Sequence, residues 1–290
     1  MQVIYHIGAH CTDEGRILRA LLKNRGLLVE RGVAVPSPAQ FRPVLRRAMQ
    51  SLSGGLLGQD TGQMIVEDLL DGTPADRLIF SHDFLMSIPM HSIGEEGLYA
   101  NAARNIAALT RVFEVGVCEF HIGLRNPATL VPALVRLQRG QSYRDVMGAA
   151  HPLEMRWRAV IERIFERVPD ARLVLWCDED MPFIWPEVLR RLAGLDAGTQ
   201  LEAEDDFLAT LLTPEGLSQF RARLGPGLPD IETRREVTAE LLATHLREGA
   251  AEEAIDLPGW TQALVDQITA EYEADVAAVA EFPGVEFLWP

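Results

Sequence analysis

Residues 5–15 read Tyr-His-Ile-Gly-Ala-His-Cys-Thr-Asp-Glu-Gly, and this stretch decides the fold. An apolar strand over residues 3–7 leads into a glycine turn, and a helix follows with one apolar face formed by Ile17, Leu18, Leu21 and Leu22. A strand, a loop and a helix in this order build phosphate sites, because the loop amides and the helix N-terminus point at one spot. Here that spot carries Asp13 and Glu14 and no lysine, so the stretch predicts a fold more directly than a reaction.

Short apolar segments bounded by turn residues predict four buried strands, at residues 3–7, 77–81, 115–124 and 172–176, and a fifth at residues 285–289. Helical patterns separate them, at residues 13–31, 61–70, 99–112, 127–138, 153–167 and 183–193. Strands that alternate with helices indicate an α/β fold, with a central, mainly parallel sheet covered by helices on both faces. The Pro- and Gly-rich residues 36–60 predict a loop-rich connection.

The length and composition predict a single domain. The chain has 290 residues, 48% of them hydrophobic, which suffices for one large core. We expect residues 1–200 to form the α/β sheet portion and residues 201–290 an acidic helical subdomain with a candidate final strand. The helices of that subdomain are expected to pack over one side of the sheet.

The net charge of −15 lies mostly in the C-terminal third, where 19 acidic residues stand against 5 arginines in residues 201–290. This distribution disfavours nucleic acid and anionic lipid as partners. No segment has the length and hydropathy of a membrane span, and the first residues lack the pattern of a secretory signal, so we predict a cytoplasmic protein. Three cysteines without close spacing predict no disulfide framework.

Polar and titratable residues follow the ends of the predicted strands. They are His10, Cys11, Thr12, Asp13 and Glu14 after the first strand, His82 and Asp83 after the second, Arg125 and Asn126 after the third, and Cys177, Asp178, Glu179 and Asp180 after the fourth. Since the carboxyl ends of parallel strands meet at one edge, this pattern predicts a site there. Turns are also polar because Asp and Thr cap helices, which accounts for Asp178 and Asp180.

Several segments resemble, in the right order, the motifs of bacterial sulfotransferase-family proteins. Residues 5–36 are similar to the family's N-terminal strand, phosphosulfate loop and leucine-rich helix, and Leu-Arg-Asn-Pro at 124–127 resembles its Arg-Asp-Pro turn. Trp-Cys-Asp-Glu-Asp-Met at 176–181 stands where the family has a strand ending in Tyr-Glu-Asp-Leu, and Glu-Tyr-Glu-Ala-Asp at 271–275 resembles its late helix. The resemblance implies a P-loop-like (P-loop NTPase and sulfotransferase) α/β fold.

The implied activity is transfer of a sulfuryl group from 3′-phosphoadenosine 5′-phosphosulfate to a hydroxyl or amine of a small-molecule or glycan acceptor. The donor-binding residues that the resemblance implies are Gly8, His10, Cys11, Thr12, Gly15 and Arg125. The candidate bases are Asp83 and His82, which follow the second strand, and His10 is a third candidate catalytic residue. No metal is expected.

Three departures from the family pattern leave other functions open. Cys11 stands at the family's loop lysine, Asp13-Glu14-Gly15 replaces Gly-Thr-Thr, and Ala133 replaces a serine that follows the arginine by eight residues. A capping role for Thr12-Asp13-Glu14 is the alternative interpretation of the loop. The chain could therefore be a non-catalytic binding module with the same fold. A Cys- or metal-dependent hydrolase is a third alternative, in which the helix N-terminus would activate Cys11.

Overall fold

The computed structural model describes residues 1–53, 61–113, 117–251 and 255–290. The strands in chain order are β1 (Gln2–His6), β2 (Val33–Ala34), β3 (Arg77–Ser81), β4 (Ile93–Gly94), β5 (Gly97–Leu98), β6 (Val117–Leu124), β7 (Arg172–Cys177) and β8 (Val285–Phe287). The helices are α1 (Arg16–Lys23), α2 (Arg25–Glu30), α3 (Pro38–Ser53), α4 (Thr61–Leu70), α5 (Ala102–Val112), α6 (Pro127–Leu137), α7 (Tyr143–Met147), α8 (Trp157–Arg167), α9 (Met181–Ala193), α10 (Leu208–Leu211), α11 (Pro214–Leu224), α12 (Ile231–His245) and α13 (Gln262–Ala280).

Six of the described strands form one parallel sheet in the order β2-β3-β1-β6-β7-β8, and β4 and β5 form a separate hairpin. The α/β fold class with a parallel central sheet is therefore confirmed. Strand β1 lies between β3 and β6, so the segments that follow these three strands share one edge. Tyr5 at the centre of β1 stacks on Phe80 of β3 and Phe120 of β6, with ring centroids 5.4 and 5.2 Å apart.

The sheet is buried on both faces because side chains alternate along each strand. On the first face, Val3 and Tyr5 pack with α3, α5, α6, α8 and α13. On the second face, Ile4 packs with α1, α2 and α9. His6 and His121 also lie on the second face, where Ser81 Oγ is 2.8 Å from His6 Nδ1 and Glu119 Oε1 is 2.7 Å from His121 Nε2.

Two predictions about helices were wrong. A helix, α3, covers most of the predicted loop at residues 36–60, because Phe41, Leu45 and Ala48 form a buried stripe that outweighs the proline signals; residues 54–60 lie outside the described part of the chain. The predicted helix at residues 13–31 is two helices. Asn24 separates them, since its side chain donates to the carbonyl oxygens of Ala20 and Glu202 (2.8 Å each).

Other predicted elements agree with the structure within a few residues. Helices α4 and α6 match residues 61–70 and 127–138, and β6 begins at Val117. The first two residues of the predicted strand at 115–124 lie outside the described segments. None of the described helices has the length and hydropathy needed to cross a membrane.

The C-terminal helices lie on both faces of the sheet, so the expectation that they cover one side was wrong. Helix α12 contacts α9 on the second face, whereas α13 packs on α8 and α6 on the first. Helices α10 to α12 have a small core of their own, formed by Leu208, Leu212, Phe220, Val237 and Leu241. The last strand, β8, extends the main sheet in parallel with β7.

Candidate functional site

The loop at residues 7–15 crosses the carboxyl end of β1 and is held to the sheet by its first residues. The Ile7 and Ala9 amides donate to the carbonyl oxygens of His121 (3.0 Å) and Gly123 (3.1 Å). Gly8 between them has φ +86°, and a Cβ there would lie 2.9 Å from the Cβ of Asp83. Only glycine fits this position, because the segment after β3 passes directly over it.

The second half of the loop has left-handed backbone angles and unpaired amides. Cys11, Glu14 and Gly15 adopt positive φ angles, and α1 begins at the next residue. Within the described segments, the five consecutive amides of residues 11–15 donate to no protein acceptor. Successive amides in such a conformation form a concave surface that binds anions. The loop is therefore a candidate anion site.

The side chains of the loop only partly match the capping prediction. One carboxylate oxygen of Asp13 accepts a hydrogen bond from the Ile17 amide (2.9 Å), so Asp13 caps α1. Glu14 is exposed and pairs with Arg16 (2.9 Å), and the Thr12 hydroxyl donates to the Ala9 carbonyl oxygen (2.8 Å). Capping by Thr12 and Glu14 was therefore wrong, since each of these side chains is engaged elsewhere.

Arg125 lies against the loop at the end of β6. Its guanidinium donates to the Cys11 carbonyl oxygen, and its Nε donates to Thr129 Oγ1 (3.0 Å). The Arg125 carbonyl oxygen accepts a hydrogen bond from Trp157 Nε1 (2.8 Å), which fixes the backbone of the turn. Burial raises the pKa of Asp178 to about 8, and the nearby Glu179 adds to the effect while Arg125 opposes it.

The turn that carries Arg125 is clamped by the last long helix. The Asn126 amide donates to Glu179 (2.8 Å), and the same carboxylate accepts a hydrogen bond from the Tyr272 hydroxyl of α13 (2.9 Å). The Asn126 side-chain amide donates to Thr269 Oγ1 of the same helix (2.9 Å). Helix α13 therefore positions a turn that is more than 140 residues away in the sequence.

The candidate bases His82 and Asp83 lie directly beside Gly8. His82 Nδ1 is 3.1 Å from the Asp83 carboxylate and 3.0 Å from the Phe84 amide, so a protonated Nδ1 donates to Asp83 and an unprotonated one accepts from Phe84. Burial would raise the pKa of Asp83, but the hydrogen bond with His82 and the surrounding imidazoles lower it overall. Asp83 is thus ionised at neutral pH and able to accept a proton.

His10 is fully buried and packed between Phe84 and Tyr99. The Tyr99 hydroxyl accepts a hydrogen bond from the His10 amide (3.0 Å) and lies 3.1 Å from His10 Nδ1. Burial lowers the pKa of His10, so the imidazole, with its second nitrogen Nε2, is uncharged at neutral pH. This Nε2 is buried and has no hydrogen-bond partner among the described residues. The geometry suits a positioning role better than exchange of protons with solvent.

Cys11 does not have the electrostatics of a nucleophile. Burial raises the pKa of its thiol to about 11, and the opposing effect of Arg125 is too small to reverse this. The helix N-terminus therefore does not activate it, which weighs against the Cys-dependent alternative. In the described ranges, no group of three His, Cys, Asp or Glu side chains is arranged to hold a metal ion.

The structure thus brings the sequence-predicted residues to one edge of the sheet. Gly8, His10, Cys11, Thr12 and Gly15 share the loop, and Arg125 and Asp83 contact it from the two neighbouring strands. The residues that hold His10 were missed, namely Tyr99 and Ser92, whose hydroxyl is 3.3 Å from His10 Nδ1. Both flank the short β4–β5 hairpin, and its two-residue strands leave no pattern in the sequence.

Comparison of the chain with protein-family models and with curated protein sequences finds no match. The fold and the site define the chain as an α/β protein with a parallel sheet and a candidate anion-binding loop at its carboxyl edge.

Proposed function

We propose that this chain is a sulfotransferase-like transferase that moves a sulfuryl group from 3′-phosphoadenosine 5′-phosphosulfate to a hydroxyl or amine acceptor. The observation that carries the proposal is the row of five amides at residues 11–15 that have no hydrogen-bond acceptor in the described protein, on a loop that contacts the Arg125 guanidinium. Backbone amides and an arginine are the donors that bind phosphate and sulfate oxygens in proteins.

The residues have separate roles in this proposal. The loop amides hold the phosphosulfate, and Arg125 binds the phosphate of the nucleotide, as the resemblance implies. Asp83 removes the proton from the acceptor as its oxygen or nitrogen bonds to sulfur, while the bond between sulfur and the bridging oxygen breaks and releases adenosine 3′,5′-bisphosphate. We place this reaction in the cytoplasm, where the three free cysteines would stay reduced, with a small molecule or glycan as the partner.

A second candidate is a non-catalytic binding module with the same fold. Two observations favour it: the Asp13 carboxylate already occupies the Ile17 amide at the start of α1, and the Arg125 guanidinium already donates to the Cys11 carbonyl oxygen. A donor would have to bind next to the Asp13 carboxylate and compete with the Cys11 carbonyl oxygen for the Arg125 guanidinium. The two candidates therefore differ in whether the donor binds and reacts.

The test is a thermal-unfolding titration with adenosine 3′,5′-bisphosphate, followed by a transfer assay. A ligand that binds only the folded state at one hundred times its dissociation constant stabilises it by about 2.7 kcal/mol. We expect stabilisation of the wild type and its loss in Arg125→Gln, with exposed Arg139→Gln as the matched control. No stabilisation at millimolar ligand would refute donor binding.

The transfer assay measures release of adenosine 3′,5′-bisphosphate from the donor in the presence of mixed phenol, amine and sugar acceptors. Asp83→Asn should slow release by about 10²- to 10⁴-fold, the range for loss of a general base, and leave the stabilisation by the product intact. Binding without release by the wild type would favour the non-catalytic module.

A further inference from the structure

The segment that follows the candidate base exposes three large apolar side chains. Phe84, Ile88 and Met90 are 38%, 45% and 61% exposed, although all three lie within eight residues of Asp83. Single exposed apolar residues are common, whereas three on one short segment beside a polar site make that segment a candidate ligand surface.

A groove of about 320 Å³ begins where this apolar segment ends. The β4–β5 hairpin forms one wall, and the ends of α6 and α7 form the other. Its lining includes Met90, Ile93, Glu95, Gln138, Gln141 and Asp145. The volume lies at the lower end of the range for small-molecule sites, and the mixture of apolar and amide side chains is typical of them.

The groove and the candidate base are connected by contacts. Ser92, between Met90 and Ile93 in the chain, has its hydroxyl 3.3 Å from His10 Nδ1. At the other end of the segment, the ring of Phe84 lies 4.9 Å from the ring of His82 and 5.7 Å from that of His10. Phe84, Ile88 and Met90 therefore form a strip in sequence, on the segment that runs from His82 and Asp83 to the groove. The Arg42 guanidinium lies 5.1 Å from the centroid of the Phe84 ring.

The charges of the groove select among possible ligands. Its described lining contains two carboxylates, Glu95 and Asp145, and no lysine or arginine. Asp145 takes part in the capping box of α7, and its hydrogen bonds with Ser142 lower its pKa. Glu95 is therefore the lining carboxylate that has no hydrogen bond or ion pair among the described residues. A cationic group is therefore favoured in the groove and an anionic group is disfavoured.

We propose that this strip and groove form the acceptor site, and that the acceptor is a small amphipathic amine whose apolar part lies on Phe84, Ile88 and Met90. The assignment as an acceptor rests on the proposed transfer reaction, whereas the binding preference rests on the groove alone. The reactive hydroxyl or amine of the acceptor faces Asp83.

The test uses three probes that share a ring and differ in charge: tyramine, 4-ethylphenol and 4-hydroxyphenylacetate. Protein labelled with ¹³C at the Met and Ile methyl groups is titrated with each, without donor, and the signals of Met90 and Ile93 are followed. We expect tyramine to bind more tightly than 4-hydroxyphenylacetate, by up to about fivefold, the ratio that one exposed ion pair supports. Glu95→Gln should remove this preference.

Glu96→Gln is the matched control, because Glu96 is the other exposed residue at the tip of the hairpin and does not line the groove. It should keep the preference for tyramine. Equal or tighter binding of 4-hydroxyphenylacetate, the same loss in both glutamine variants, or unchanged Met90 and Ile93 signals with all three probes at millimolar concentration would each overturn the proposal. A protein that binds tyramine here but not adenosine 3′,5′-bisphosphate would retain the groove assignment and lose the proposed reaction.

Discussion

Replacement of Gly8 by alanine tests whether the segment after β3 lies on the loop. Gly8 has φ +86°, and an added Cβ would lie 2.9 Å from the Cβ and 3.0 Å from the Cα of Asp83. Gly72 offers a matched control, because its φ is +76° and nothing lies within 4 Å of an added Cβ. Both variants carry the cost of a left-handed residue with a side chain, about 1–2 kcal/mol. Only Gly8→Ala adds overpacking, about 1–3 kcal/mol more.

The assay is urea unfolding followed by fluorescence of the buried Trp157, Trp176 and Trp185. Gly8→Ala should lower the free energy of unfolding by about 2–5 kcal/mol and Gly72→Ala by about 1–2 kcal/mol. Addition of Asp83→Gly to Gly8→Ala should recover part of the difference, since it removes the nearer contact atom and the two sites should not behave additively. Equal losses in Gly8→Ala and Gly72→Ala would refute the close approach of Asp83.

Three further predictions concern single side chains. The pKa of Asp178, raised by burial to about 8, lies above its unfolded value of about 3.9, so the folded protein keeps a proton that the unfolded chain releases. Stability should therefore fall as pH rises from about 4 to about 8, and Asp178→Asn should reduce that slope in urea unfolding at pH 5, 7 and 9; an unchanged slope would contradict the assignment. The carboxylate of Asp275 is 2% exposed and accepts hydrogen bonds from two nitrogens of Arg156, which is 34% exposed. In the same assay, Asp275→Asn should lower the free energy of unfolding by about 2–4 kcal/mol. Glu271→Gln, on the exposed side of Arg156, should lower it by less than about 1 kcal/mol. Iodoacetamide at pH 7.5 should alkylate Cys11, whose pKa is about 11, roughly 100-fold more slowly than an ordinary cysteine by mass spectrometry, and equal rates would revive the Cys-dependent alternative.

The strands could be predicted from the sequence because each is a short apolar segment between turn residues. Helices α4 and α6 were predicted for a related reason, since Pro127 opens α6 and an apolar pattern fills both. Helix α3 was missed, because its buried stripe is interrupted by Pro43 and follows two further prolines, which locally indicate a loop. Burial of Phe41 and Leu45 in the core stabilises this helix despite the prolines.

The part of the candidate site that lies at the ends of parallel strands could be predicted from the sequence. Residues at the ends of β1, β3 and β6 had to share an edge, and Asp83 and Arg125 do contact the loop. The environment of His10 could not be predicted, because Tyr99 lies 89 residues away and approaches through a connection rather than a strand end. The unpaired amides of the loop could not be predicted either, because they depend on the positive φ angles of Cys11 and Glu14, which are non-glycine residues.

The clamp that α13 places on the Asn126 turn has a consequence for synthesis of the chain. Thr269 and Tyr272 lie in the last twenty-two residues, and they hold the turn that positions Arg125. A nascent chain on the ribosome can form β1, its loop and α1 early, but the Asn126 turn gains its contacts with α13 only after α13 has left the exit tunnel. Chains truncated before α13 would thus have the loop formed and lack both contacts of α13 on this turn.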